Sequence, residues 1–138
     1  MKRVVLDTDT CSYLIREKPQ VVLLAMQRHV AGGGALEISS ISYSELRLGA
    51  ERSGNPAKHH RLIDDFCGRL TILPWDAACA DHFARLQAAL LAQGTPIGGN
   101  DAMIAAHALA VDATLVSNNT RHFGKVPNLR LENWAQSL

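Results

Sequence analysis

The sequence has few cysteines and no long apolar run. Cys11, Cys67 and Cys79 are odd in number and widely spaced, so neither a disulfide framework nor a zinc motif is indicated. Polar residues interrupt every apolar run well short of the roughly 20 residues that cross a bilayer. The stretch before the first aspartate is too short for the apolar core of a secretion signal. We therefore expect a cytoplasmic protein that does not bind membranes.

The sequence also lacks a marked excess of charge of either sign. Fourteen Lys and Arg residues face thirteen Asp and Glu residues, the net charge is +1, and the basic residues are spread along the chain. The basic footprint that is typical of non-specific nucleic-acid binding is therefore missing. A nucleic-acid partner is not excluded, because a metal ion in an acidic cleft can hold a phosphodiester with little help from net protein charge.

The length of 138 residues, 47% of them hydrophobic, predicts one compact domain over residues 1–138. Short β-branched runs alternate with longer helical ones, a pattern that predicts an α/β fold with a mostly parallel sheet. The predicted strands are "RVVLD", "ALEISSI", "RLTILP", "ATLVS" and "LRLEN". The predicted helices are Thr10–Arg16, Gln20–Val30, Ser42–Arg52, Ala57–Arg69, Asp76–Ala92 and Asn100–Val111.

Polar residues from four segments are expected at one edge of this sheet. Ligands of open α/β sheets bind beyond the carboxyl ends of the strands. Asp7 ends the first predicted strand, Glu45 follows the second and Asn119 follows the fourth. Asp101 opens a helix that must run back antiparallel to its strand, so its first turn lies at the same edge. We expect the helix N-terminus to keep Asp101 ionised, and small Gly49, near Glu45, to permit close approach of a neighbour.

Each of these acids also has a purely structural interpretation. The segment from Ser42 to Glu45 fits a capping box, which for Glu45 taken alone is the better explanation. Asp9 or Thr10 could cap the first helix. Asn100 with Asp101 could cap theirs in the same way.

Convergence of the acids on one edge favours a functional site over separate helix caps. Crowded carboxylates raise one another's pKa unless a cation neutralises them. Oxygen ligands without paired histidines or clustered cysteines favour Mg²⁺ or Mn²⁺ over zinc.

Two alternatives to a metal site stay open at this point. An apolar strand followed by Asp-x-Asp resembles the first motif of haloacid-dehalogenase-like phosphatases, in which Asp7 would be the phosphorylated nucleophile. The later lysine motif and the downstream acidic pair of those phosphatases are not found. The second alternative is a non-catalytic α/β domain, either a receiver-like module or an inactive domain that only binds RNA.

Four motifs in sequence order resemble the PIN-domain ribonucleases, specifically the VapC-type toxins of VapBC toxin–antitoxin modules. They are "VVLDTDTCSYLIREKP", "ISSISYSELRLGAER", "GTPIGGNDAMIAAHALA" and "ATLVSNNTRHF" with the following "VPNLRLENW". The resemblance covers nearly the whole chain. It implies a PIN-like three-layer α/β/α fold with a mostly parallel central sheet.

The resemblance also implies a set of site residues. Asp7, Glu45 and Asp101 would be catalytic residues and metal ligands, and Asn119 takes the fourth acidic position of the wider family. Additional candidates are Thr8 and Ser117, which could position water or phosphate, and Asp9. Two positions depart from the family pattern. Asp9 stands where asparagine is usual, and His122 stands where the subgroup often has glutamate.

The resemblance further implies an activity and a set of partners. We expect a toxin that is an Mg²⁺- or Mn²⁺-dependent endoribonuclease, with initiator tRNA, cut in its anticodon loop, as the substrate that analogy favours. The expected partners are RNA, a cognate VapB-type antitoxin and a second copy of the chain in a homodimer. Operator DNA would be bound only indirectly, through the antitoxin.

Overall fold

The computed structural model describes residues 2–136. Met1, Ser137 and Leu138, which belong to the predicted domain 1–138, lie outside the described residues. Strands and helices alternate along the chain. The strands are β1 (Val4–Leu6), β2 (Glu37–Ser39), β3 (Thr71–Leu73), β4 (Thr114–Val116) and β5 (Leu131–Glu132). The helices are α1 (Thr8–Arg16), α2 (Gln20–Ala31), α3 (Ser40–Glu51), α4 (Pro56–Cys67), α5 (Ala77–Ala92), α6 (Gly99–Ala110) and α7 (Thr120–Phe123).

The five strands form one sheet in the order β3-β2-β1-β4-β5. All four neighbouring pairs are parallel, so the prediction of a mostly parallel sheet is confirmed. The chain first builds β2 and β3 on one side of β1 and then adds β4 and β5 on the other side. Such a reversal beside a central strand opens a crevice at the carboxyl ends of β1 and β4, where α/β sheets bind their ligands.

The sheet is covered by helices on both faces. Successive strand residues point to opposite faces, and Val5 of β1 packs with α5 and α6 while Leu6 packs with α1 to α4. Leu115 and Val116 divide in the same way on β4. Because both of its faces are buried, the central strand β1 is a continuous apolar run, Val-Val-Leu. The predicted three-layer α/β/α fold is confirmed.

Small side chains on α6 set the position of its first turn. Ala102, Ala105, Ala106 and Ala108 are fully buried in the core against α5 and the sheet. Side chains of this size let the helix lie close to its neighbours, which brings Asp101 to the edge of the sheet. Beyond the end of α6, the N–H of Ala113 donates to the carbonyl of Ala108 at 2.9 Å and closes the C-terminus of the helix.

Helix starts differ from the sequence prediction at two places near this edge. The first helix begins at Thr8 rather than Thr10, and the third at Ser40 rather than Ser42. In both cases the residue that directly follows or ends the strand serves as the N-cap, so strand and helix join without a loop. The short helix α7 was absent from the predicted helices.

No helix within residues 2–136 combines the length and apolar character needed to span a bilayer.

Candidate functional site

Asp7 lies at the junction of β1 and α1 and is only 4% exposed. Its Oδ1 accepts a hydrogen bond of 2.8 Å from the N–H of Thr10, so Asp7 is the N-cap of α1. Its own N–H donates to the carbonyl of Val116 in β4 at 3.0 Å. The expectation that Asp9 or Thr10 caps this helix is therefore wrong. Asp7 is held rigidly at the centre of the sheet edge.

Burial raises the pKa of Asp7, because the ionised carboxylate loses solvation. Hydrogen bonds from Ser117 and Thr10 lower this pKa, and the nearby charge of Asp9 raises it again. The net direction is upward. A cation beside the carboxylate would favour its ionised form and offset the cost of burial.

Glu45 connects three helices at the same edge. Its Oε1 accepts a hydrogen bond of 2.5 Å from the Thr8 hydroxyl of α1. Its Oε2 accepts a hydrogen bond of 3.2 Å from the Asn100 side chain of α6. The capping-box interpretation of Glu45 is therefore wrong, since the N-cap of α3 is Ser39 and its hydroxyl accepts from the N–H of Ile41 at 3.0 Å.

Asp101 lies in the first turn of α6 and is partly buried. The N-cap of this helix is Gly98, which makes no side-chain cap, so the predicted cap by Asn100 and Asp101 is wrong. Burial raises the pKa of Asp101, and the charges of Glu45 and Asp9 raise it further, against a lowering by His122. The ionised state that the helix N-terminus leads us to expect for Asp101 stays a prediction.

Asn119 follows β4, and the side chain of His122 lies between Asn119 and Asp101. The side-chain Oδ1 of Asn119 caps α7 by accepting from the N–H of His122 at 3.4 Å. Nδ1 of His122 lies 3.0 Å from Nδ2 of Asn119 and 3.5 Å from Oδ2 of Asp101. A neutral Nδ1 accepts from the amide, whereas a protonated one donates to the carboxylate. His122 thus occupies the place between two predicted site residues.

Ser117, the residue directly after β4, acts on Asn119 and Asp7. It is fully buried, and its hydroxyl oxygen accepts from the N–H of Asn119 at 2.9 Å. The same hydroxyl lowers the pKa of the Asp7 carboxyl. Ser117 therefore acts on two predicted site residues, one after β1 and one after β4.

The structure thus brings Asp7, Glu45, Asp101 and Asn119 to one edge, as the sequence predicted. Within residues 2–136, no three His, Cys, Asp or Glu side chains form a preassembled metal-binding group. The four residues do supply only oxygen and amide donors, which suit Mg²⁺ or Mn²⁺. The pKa of Asp101 responds to Glu45 and Asp9, so these acids repel one another in a way that a cation would relieve. The donor chemistry fits a hard divalent ion.

Sequence reasoning missed some contacts and misread one glycine. Asn100 was considered only as a helix cap, and the role of Thr8 as the partner of Glu45 was not foreseen. A Cβ built on Gly49 would meet no atom within 4 Å. The expectation that Gly49 permits close approach of a neighbour is therefore wrong, and this glycine borders open space.

Comparison with known proteins identifies the family. The model of the PIN domain matches residues 4–129. The tRNA(fMet)-specific endonuclease VapC of Shigella flexneri is 39% identical over 135 residues, which are 98% of this chain and 100% of that protein. The chain belongs to the VapC ribonucleases of the PIN-domain family. Ribonuclease VapC2 of Haemophilus influenzae strain Rd is 42% identical over 134 residues, 97% of this chain and 99% of that protein.

Solved structures of VapBC complexes have the same fold. VapBC2 from Rickettsia felis, bound to a DNA fragment from its promoter, matches with a TM-score of 0.89 and 37% identity over 95% of this chain and 98% of that chain. DNA-bound VapBC from Salmonella typhimurium matches with a TM-score of 0.89 and 36% identity over 97% of this chain and 99% of that chain.

Membership of the VapC family makes this chain an RNA-cleaving hydrolase and a toxin-type protein. The ribonuclease prediction from sequence is confirmed. The phosphatase alternative is not favoured, because the relatives are ribonucleases.

Proposed function

We propose that this VapC-family chain is a metal-dependent endoribonuclease whose Asp7, Glu45 and Asp101 hold Mg²⁺ or Mn²⁺. The observation that carries the proposal is the placement of three carboxylates, directly after β1 and in α3 and α6, at one edge of the sheet, where the charges of Glu45 and Asp9 raise the pKa of Asp101. Two of them, Asp7 and Asp101, have pKa values raised by burial and by neighbouring acids. An unneutralised cluster of this kind is costly, and a divalent cation offsets that cost.

The bound ion would acidify a water molecule for in-line attack on the phosphodiester and offset charge on the leaving oxygen. The protein's own residues fix the geometry. Thr8 holds one oxygen of Glu45 and Asn100 holds the other. Ser117 orients Asp7 and the backbone of Asn119. Partners of metal ligands that act in this way commonly tune metal affinity and activity.

We propose initiator tRNA, cut in the anticodon loop, as the substrate. One relative of almost equal length is named a tRNA(fMet)-specific endonuclease. Unpaired loop bases can be splayed out and reached by a protein edge, whereas bases within an RNA helix cannot. The acidic edge is open, and the exposed Arg121 stands at the start of α7, beside Asn119, where it can contact an RNA phosphate.

We also propose a cognate VapB-type antitoxin and a homodimer. The solved relatives are VapBC complexes, two of them bound to DNA. Operator DNA would then be reached only through the antitoxin. A tRNA substrate places the protein in the cytoplasm. The proposed antitoxin would inhibit cleavage, so activity must be measured on toxin free of it.

The test is cleavage of purified total tRNA by antitoxin-free protein in Mg²⁺ or Mn²⁺, followed by sequencing of the new ends. Asp7→Asn protein and EDTA serve as controls. We expect defined cuts in an anticodon loop that vanish in both controls. Cuts that persist in EDTA would contradict metal dependence. Absence of cuts in a folded protein that still binds the tRNA would instead support the non-catalytic RNA-binding alternative.

A further inference from the structure

A recess between α1, α3 and α4 lies directly beside the acidic edge. It has a volume of about 240 Å³, and Thr8 and Glu45 line it. A second, wider recess of about 430 Å³ lies on the other side of Glu45 and reaches Asn100. Gly49 borders both recesses. The two spaces therefore adjoin one predicted metal ligand and one glycine.

Gly49 has no structural reason to be glycine. It lies inside α3, where glycine is among the least favourable residues. A Cβ at this position would meet nothing within 4 Å, and no positive φ requires glycine there. Because Gly49 has no side chain, the space between the two recesses stays open. The sequence thus gives up helix stability at a position that borders the site.

The walls of the smaller recess combine apolar and planar groups. Ile15, Leu46 and Ile63 supply apolar surface, and Arg16 and His59, whose side chains end in planar groups, also line the recess. Unpaired nucleobases are bound by this combination, since their faces stack on planar side chains and their edges need few polar contacts. The volume is below that of pockets that hold drug-sized ligands, roughly 300–1,000 Å³, and suits a single base.

The charges around both recesses favour a polyanion. Glu45 is the one acidic residue that lines them, and Arg16 and Arg52 are the arginines. Neither arginine forms an ion pair with another residue in the described range 2–136. In contrast, Arg47 of α3 makes side-chain hydrogen bonds with Asp64 and Tyr43. The guanidinium of Arg16 lies over the ring of Tyr13, 5.5 Å from its centroid, and keeps its charge. Arg16 and Arg52 therefore complement the phosphates on either side of a bound nucleotide.

We propose that this recess binds one unpaired nucleotide of the RNA next to the cleaved phosphate, and that Gly49 is a specificity-determining residue because its missing side chain keeps the recess open. The inference rests on the proposed ribonuclease function and deepens it. A Cβ at position 49 meets no protein atom within 4 Å, so we expect a large side chain there to occupy the recess. It would therefore weaken RNA binding, and thermal unfolding shows whether the variant keeps its fold.

The test measures RNA binding separately from cleavage. Gly49→Leu and Gly49→Ala are made in the Asp7→Asn background, and binding of a fluorescein-labelled anticodon stem-loop of initiator tRNA is followed by anisotropy. Gly54→Leu is the matched control, because a Cβ at Gly54 also meets nothing within 4 Å and Gly54 lines neither recess. Thermal unfolding shows that each variant is folded.

We expect Gly49→Leu to weaken binding of the stem-loop by about tenfold or more, the loss of one stacked base. Gly49→Ala should weaken it less, and its melting temperature should rise by about 4 °C, since alanine favours the helix. Gly54→Leu should bind as the parent does. In protein that keeps Asp7 and can cleave RNA, Gly49→Leu should raise KM and leave kcat nearly unchanged, as expected for lost substrate binding.

Unchanged RNA binding by folded Gly49→Leu would overturn the subsite, whether or not the parent cleaves tRNA. Failure of the Asp7→Asn protein to bind the stem-loop at all would also overturn the subsite. Weaker binding of the cognate antitoxin with unchanged RNA binding would overturn it in favour of a protein-docking role. If the parent fails to cleave but Gly49→Leu still weakens RNA binding, the subsite stands and only the proposed catalytic function fails.

Discussion

Replacing Asp7 separates its metal-binding role from its structural role. In EDTA at pH 7, we expect Asp7→Asn to increase the free energy of unfolding relative to the parent. Burial raises the pKa of Asp7 above its ordinary value of 3.8, so ionisation of this group costs stability in the folded state. The stabilising contribution of the protonated form is present below the unfolded-state pKa and is lost as pH rises through the folded-state pKa. At pH 7 the parent carries that cost and the asparagine variant does not.

Asp7→Ala provides the matched comparison. Asparagine can still accept the hydrogen bond that Asp7 receives from the N–H of Thr10 at 2.8 Å, because Asn and Asp cap helices about equally well. Alanine cannot, and loss of an N-cap costs about 1 kcal/mol. Asp7→Ala should therefore be less stable than Asp7→Asn by about 1 kcal/mol, or about 4 °C in melting temperature for a domain of this size.

Addition of metal should reverse the order of the parent and the asparagine variant. At an Mg²⁺ concentration 100 times its dissociation constant, a metal that binds only the folded state adds about 2.7 kcal/mol. We expect this gain for the parent and not for Asp7→Asn. The assay is urea unfolding followed by circular dichroism, in EDTA and in Mg²⁺. An equal Mg²⁺ gain in both proteins, or a less stable asparagine variant in EDTA, would refute the reasoning.

Three further predictions concern Thr8, His122 and His107. Thr8→Val should weaken Mg²⁺ binding by about tenfold, measured by calorimetry, because it removes the 2.5 Å hydrogen bond to Glu45; Thr8→Ser should behave as the parent, and equal affinity for Val would count against an orienting role. His122→Glu should tighten Mg²⁺ binding in the same assay, since it places a hard oxygen donor near Asp101; unchanged or weaker binding would contradict this. Burial lowers the pKa of His107 from 6.5, so stability should be full above pH 6.5 and fall below it. His107→Gln should flatten that dependence in urea unfolding, and an unchanged slope would assign it to other groups.

The order of strands and helices, and the edge that carries the site, could be predicted from sequence. Strand and helix periodicities are local, and the strand predictions are all confirmed by the structure. The carboxyl ends of parallel strands meet at one edge, so the placement of Asp7, Glu45 and Asn119 followed from their positions after the predicted strands. The short helix α7 escaped because four residues carry too little periodicity to be recognised.

The pairing of side chains across the site was decided only by tertiary structure. The capping box at Ser42 and Glu45 is a good local match, yet β2 runs directly into α3, so the cap is Ser39. Glu45 instead bonds residues 37 and 55 positions away in the chain, and local patterns carry no information on such contacts. The pKa of Asp101 is raised by burial and by the charge of Glu45, which only the tertiary structure places near it. Gly49 borders open space because of how α1, α3 and α4 pack. The sequence therefore determined which residues reach the edge, and packing determined what each one touches there.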